Sequence, residues 1–217
     1  MRVRSALCPR MVNTQYRGRT LRSTHEDRPN NWGTHAGASR LAIARYLGRQ
    51  AEVERGARVF RGWLGGRAYY DGFQFGADLS WQADPQHPVG INPAGATKDN
   101  HSVDGVLPDD QRRGGSFRWP PPHENYVYEA LQGALAQAVM LQRAGYSDVW
   151  EWEDRALLRA FQWLHDAAEF PPKNDDTWQA PLIDLHYGTR FWDGARTEPG
   201  KSLGWTDWTH VRAAAKP

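Results

Sequence analysis

At 217 residues the chain can hold one ordinary domain with a substantial core, and length alone gives no reason to divide it. Its single cysteine, Cys8, excludes an internal disulfide framework and a zinc site built on thiolates, and leaves the redox compartment open. The formal net charge is only +2, yet the first 28 residues hold Arg2, Arg4, Arg10, Arg17, Arg19, Arg22 and Arg28 against Glu26 and Asp27, so the basicity sits at the front.

Residues 1–29 therefore read as a basic, poorly ordered leader. A polyanion-binding arm is the rival reading, but no helix-turn-helix, zinc-finger or RNP pattern accompanies it, so nucleic acid is not the expected partner. The first 21 residues alternate arginine with isolated apolar residues, without the continuous apolar stretch of an export signal. No segment is long and apolar enough for a membrane span.

From residue 38 to 47, Leu41, Ala42, Ala44 and Leu47 recur at helical spacing and Gly48 supplies a stop. A second helix is predicted over 51–64, where Val53, Ala57, Phe60 and Leu64 form one apolar stripe ended by Gly65-Gly66. Residues 67–122 are rich in Gly, Pro, Asp and aromatics and far exceed an ordinary connection. Short β segments are expected within 69–81, and turns at Asp84-Pro85 and Asn92-Pro93. The strongest helical pattern covers 124–145, apolar on most sides and so predicted buried. Ser147 is positioned to cap a fourth helix running to about residue 167. After Phe170-Pro171-Pro172 the chain reads as loop again, closing on Gly204-Trp205-Thr206-Asp207-Trp208-Thr209-His210. The pattern is all-α, with helical hairpins flanking a long irregular region.

Two stretches carry the chemistry. Asn30-Asn31-Trp32-Gly33-Thr34-His35 crowds amide and imidazole groups where a helix is predicted, and Arg112-Arg113-Gly114-Gly115-Ser116-Phe117-Arg118-Trp119 leads through prolines to His123-Glu124-Asn125-Tyr126. Eleven tryptophans, fourteen prolines and twenty-one glycines add flat aromatic surfaces and loops, a composition compatible with sugar binding.

These motifs, with the Gly105-Val106-Leu107-Pro108 loop and the 204–210 tail, resemble the alginate-lyase-like uronan lyases built on an (α/α) toroid, over residues 30–210. The resemblance implies an all-α domain of αα-hairpins over 30–217. It is an incomplete toroid, because four helices fall short of the dozen a closed ring requires. The chain would then be the C-terminal part of a larger lyase, prone to self-association through uncovered helix faces. Trp32 follows Asn31 where related lyases carry histidine, and the nearest imidazole is His35. Such lyases are commonly exported, which sets the resemblance against the missing export signal.

β-Elimination removes the C5 proton of a uronate and expels the sugar oxygen on C4, so the carboxylate beside C5 must be neutralised more strongly in the transition state than in the ground state. The resemblance assigns Asn31, His101, Arg118 and Tyr126 to catalysis, with Tyr126 the leading base or acid and its ionised form favoured by nearby cations. Asn30, Trp32, His35, Arg112, Arg113, Trp119, His123, Trp205 and His210 are the expected substrate contacts, on an anionic polysaccharide. Neither a cofactor nor a metal is called for; His25-Glu26-Asp27 lacks a partner set and His186 is isolated.

Bland alternatives stand beside each assignment. Asn30-Asn31 also suits a turn and N-cap, Tyr128 competes with Tyr126, Arg112 and Arg113 compete with Arg118, and the tryptophans suit packing. Two other functions fit: a glycoside hydrolase using carboxylates among Asp109, Asp110, Glu124, Asp175 and Asp176, and a noncatalytic carbohydrate-binding fragment.

Overall fold

The computed structural model describes residues 18–210. The chain runs through α1 (Leu21–Asp27), α2 (Asn31–Tyr46), α3 (Gln50–Trp63), β1 (Thr97–Lys98), β2 (His101–Ser102), α4 (Pro108–Gln111), α5 (Val127–Gln142), α6 (Trp152–Gln162), α7 (Gln179–Tyr187) and α8 (Thr206–Thr209). Among the described residues the fold is thus all-α apart from one two-residue antiparallel pairing of Thr97 with Ser102 and Lys98 with His101 and an isolated bridge residue at Arg19. The strands expected within 69–81 do not form; that stretch is irregular backbone over the core.

Part of the expected leader is ordered. Thr20 caps α1 through a reciprocal bond with Ser23, and α1 buries His25 against α2. Leader residues 1–17 lie outside the described residues. α2 starts seven residues before the apolar periodicity does, because the Asn30 side chain accepts from the Trp32 N–H as N-cap. Gly48, at φ 66°, takes the left-handed turn that ends this helix, as its position predicts.

α3 returns antiparallel along α2: Gly56 abuts Leu41, and the Trp63 indole donates to the Pro29 carbonyl near the start of α2. α5 runs beside α2 in the same direction, since His35 faces Glu129 near the two starts and Arg45 reaches the Arg143 carbonyl near the two ends. Glycine makes this approach possible. A Cβ on Gly133 would lie 2.5 Å from the Thr34 carbonyl carbon, and one on Gly37 2.5 Å from the Gln137 side chain. Gln137 in turn donates to the Thr34 carbonyl at 3.0 Å.

α6 folds back on α5, bringing Phe161 edge-on to Tyr128. Ser147 does not cap it. The chain passes through a turn at Val149–Glu151, and Glu153, Asp154 and Arg155 take left-handed conformations (φ 50°, 55° and 58°) before a regular helix forms. α7, in a stretch expected to be loop, is parallel to α5: Gln179 donates to the Tyr128 carbonyl at one end, and the Tyr187 hydroxyl to the Trp150 carbonyl at the other. Pro181 lies in its first turn, where a missing N–H costs little. The starts of α2, α5 and α7 therefore share one end of the molecule.

The core is continuous, from Leu41 and Phe60 through Leu131 and Leu135 to Phe161, Trp178 and Ile183. Among the described residues the large apolar side chains left exposed are all aromatic: Trp32, Tyr46, Tyr69, Tyr126, Trp205 and Trp208. On the helix faces expected to drive self-association no large aliphatic side chain of the described residues is exposed, and the exposed apolar surface is that of these aromatic residues. No helix of the described residues is long and apolar enough to cross a membrane.

A buried ion network ties α1, α2 and α3 together. The fully buried Arg40 guanidinium donates to Glu52 at 2.9 and 3.0 Å and to Glu26 at 2.9 Å, while Arg22 and Arg55 reach the same carboxylates from the rim. Burial, reinforced by Arg40, holds the His25 pKa down to about 3, so the imidazole adds no charge. Arg40→Met should destabilise the fold by about 3 kcal/mol, because two half-buried carboxylates lose their central partner. Urea unfolding should show the midpoint fall with little change in slope; an unchanged midpoint refutes a structural role for the network.

Candidate functional site

The shared end of α2, α5 and α7 is assembled by α4 and the turn that follows it. Asp109, 3 % exposed, accepts from the Asn30 amide at 2.9 Å, the Gly76 N–H at 3.1 Å and Arg112 Nε at 2.7 Å. Asp110 accepts from the Asn31 N–H at 3.0 Å, at the positive end of α2. Burial still raises the Asp110 pKa well above the usual carboxylate range, and the Asn31 N–H only opposes it.

The same segment reaches α5. Gln111 donates to the His123 carbonyl at 2.8 Å, and Asn125, at φ 63°, donates to the Gln111 carbonyl at 2.9 Å. Gly114 lies so close to Asn125 that a Cβ there would sit 2.6 Å from its amide nitrogen. Held this way, Arg113 places its guanidinium 5.4 Å from the centre of the Tyr126 ring, and Tyr126, at the threshold of α5, is 48 % exposed.

These contacts separate the alternatives left open above. Asn30 is buried and committed as cap and clamp. Arg112 is anchored by Asp109 and packed over Gly76, whereas Arg113 is exposed over Tyr126. Tyr128 is buried, donates to the Phe170 carbonyl and has its phenol pKa pushed far up by burial. It is a core residue; Tyr126 is the accessible phenol.

Asn31 and His35 project from the first turns of α2. The Asn31 Oδ1 and His35 Nε2 atoms are both buried without a hydrogen-bond partner, as are Asp110 Oδ2, Gln111 Oε1 and Gln179 Oε1 nearby. Such a concentration of unpartnered polar atoms marks a place where bound water or ligand groups have bonds to make. His35 Nε2 stands 3.6 Å from Glu129, an ion-pair distance beyond hydrogen-bond reach. Burial lowers its pKa, Lys201 adds to that and Glu129 opposes it, leaving a neutral imidazole at pH 7.

Sequence reasoning missed Glu129 and Lys201. Glu129 sits between His35 and the Lys201 ammonium, which also pairs with Asp175 at 3.2 Å. Gln132 and Gln179 both donate to one Asp176 oxygen, at 2.9 and 3.0 Å. Burial raises Asp176 to about 6 and Glu124 to about 7, and each is pushed further by neighbouring carboxylates. No short motif links these residues; the fold brings them together from four segments.

Other expected site residues lie elsewhere. His101 stacks on Trp119 with ring centres 4.8 Å apart, and Trp119 leans on Trp163; β2 and the proline-rich loop form this cluster, not α5. Arg118 beside it is exposed. His123 contributes its carbonyl to the Gln111 and Asn125 bonds while its side chain is exposed. Trp32 is partly exposed on the first turn of α2. His210 feels the charge of Arg143 and interacts with His186, at the far end of α5 from Tyr126. Trp205, 62 % exposed, opens α8, which is tied to the start of α7 by the Thr206 hydroxyl on the Trp178 carbonyl. Among the described residues no group of three or more His, Cys, Asp or Glu side chains is arranged to hold a metal ion. Comparison with protein families, with curated proteins and with solved structures gave no match.

The raised Glu124 carboxyl predicts a pH signature. Its folded pKa, about 7, exceeds the ordinary 4.5, so the native state holds the extra proton between these values. Stability from this group is complete below about pH 4.5 and is lost as pH rises through 7. Glu124→Gln, which keeps the acceptor for the Tyr128 N–H, should raise the melting temperature at pH 8 and leave it unchanged at pH 4. A gap that is the same at both pH values would show that Glu124 is not held protonated.

Proposed function

We propose that this protein is a polysaccharide lyase that cleaves a uronic-acid polysaccharide, of alginate or glucuronan type, by β-elimination. One observation carries the reading: α4 joins an exposed tyrosine, with an exposed arginine over its ring, to the start of α2, where Asn31 Oδ1 and, one turn on, His35 Nε2 are buried without a hydrogen-bond partner. The parallel course of α2, α5 and α7, with α3 and α6 returning antiparallel, supports the reading of an arc of an (α/α) toroid.

In this reaction Arg113 holds the uronate carboxylate, the Asn31 amide NH2 and neutral His35 donate to the charge that develops on it as the C5–H bond breaks, and the unpartnered Asn31 Oδ1 accepts from a sugar hydroxyl. Tyr126 takes the C5 proton. The electron pair forms the C4=C5 double bond, the C4–O bond breaks, and the departing oxygen takes a proton from the newly protonated Tyr126 phenol or from water. Glu129, paired with Lys201, lies 3.6 Å from the same His35 Nε2 and flanks it at the site. Asn30, Asp109, Asp110 and Arg112 are positioning residues that fix the entrance.

A second reading has its own observation: Glu124 and Asp176 are both carboxyls held near neutrality by burial, the property required of the acid in a glycoside hydrolase. The products separate the two. Incubation with alginate and glucuronan should give a rising ultraviolet absorbance from unsaturated uronate. Tyr126→Phe should lower that rate by about 10²–10⁴-fold, the usual worth of a proton-transfer group, and Arg113→Gln should act chiefly on KM. New reducing ends without absorbance, abolished by Glu124→Gln, would replace elimination with hydrolysis.

A further inference from the structure

A cleft of about 280 Å³ opens along the outer side of α3, between that helix and the α5–α6 turn, lined by Glu54, Arg58, Arg61, Tyr69, Asp148 and Trp152, with Tyr146 at its edge. Tyr146 follows the C-terminal end of α5, whereas Tyr126 precedes its start, a separation of about 24 Å along a helix of 16 residues rising about 1.5 Å each. The cleft is therefore distinct from the site above.

Its chemistry is specific. Arg61 lies 3.8 Å from the centre of the Tyr69 ring and 5.2 Å from that of Trp152, with its Nε donated to Glu153 at 2.8 Å. The Trp152 indole N–H is buried and makes no hydrogen bond. Directly after Trp152 come the three left-handed residues Glu153, Asp154 and Arg155, a costly conformation without glycine. Arg159 holds this turn through the Glu153 and Asp154 carbonyls, and Arg61 holds it through the Glu153 side chain. The strain fixes Trp152 and Arg61 as the inner wall of the cleft.

We propose that this cleft is a second, noncatalytic saccharide site that takes one hexuronate unit of a polysaccharide chain. Guanidinium groups at Arg58 and Arg61 meet the carboxylate, Glu54 and Asp148 accept hydroxyl protons, and the Trp152 N–H finds an oxygen acceptor. Aromatic edges cover the apolar face of the ring. Identifying the sugar as acidic rests on the lyase reading; the cleft and its unpartnered donor do not.

The test uses ¹⁵N-labelled protein carrying Tyr126→Phe, titrated with a saturated glucuronan tetrasaccharide. The Trp152 indole resonance, identified by its loss in Trp152→Phe, should shift saturably. Arg58→Gln or Tyr69→Ala should weaken that binding about tenfold, the worth of one charge-assisted hydrogen bond, while leaving elimination from short substrates unchanged in the Tyr126 protein. A stationary Trp152 resonance overturns the inference, as does a shift that survives both substitutions undiminished. Elimination with no shift at Trp152 refutes this site alone; a shift at Trp152 without elimination refutes the lyase reading alone.

Discussion

The contact between α2 and α5 is the constraint on which the remaining architecture depends. Two parallel helices distant in sequence approach until Gly133 has no room for a Cβ beside Thr34, and Gly37 has none beside Gln137. Larger residues would force the helices apart by ångströms. His35 and Glu129 would then separate, and α4 could no longer bond to both helix starts. Parallel packing also sets the shared end, because antiparallel neighbours would have sent Asn31 and Tyr126 to opposite ends of a helix about 24 Å long.

Around this contact the polar groups divide by task. Asp109 and Asp110 meet Asn30, Asn31 and Arg112, and are occupied in holding backbone. Arg40, Glu26 and Glu52 do the same between α1, α2 and α3, with burial keeping His25 neutral so that no uncompensated cation is added. Such buried ion networks contribute little net stability relative to apolar packing, and their removal piecemeal is costly. Groups at the shared end with bonds still to make include Asn31 Oδ1 and His35 Nε2, together with one oxygen each of Asp110, Gln111 and Gln179. That division separates a scaffold from a place where a ligand can be met.

The charge pattern at this end is mixed. Arg113 and Lys201 face solvent among Glu124, Glu129, Asp175 and Asp176. Burial raises two of these carboxyls, Glu124 to about 7 and Asp176 to about 6. Lys201 offsets two others directly.

Much of the helical scaffold was legible in the linear pattern. Apolar spacing marked α3, α5 and most of α2, and Gly48 marked a stop, because these features depend on side chains within one turn of each other. The start of α2 was missed because a polar cap, not an apolar stripe, defines it, and α7 because Pro181 stands in its first turn. The left-handed turn at Glu153 carries no glycine to announce it; Arg61, distant in sequence, and Arg159, further along α6, hold it. The motif residues Asn31, Arg113 and Tyr126 were named from the sequence, and so were competitors of equal standing. Only the tertiary structure decided that Arg112 is anchored by Asp109, that Tyr128 is core, that His210 lies at the far end of α5, and that Glu129 and Lys201 stand beside His35. The physical reason is the same throughout. Residue type and spacing determine what a side chain can do within its own element, whereas which partner it meets depends on how closely two helices distant in sequence are allowed to pack.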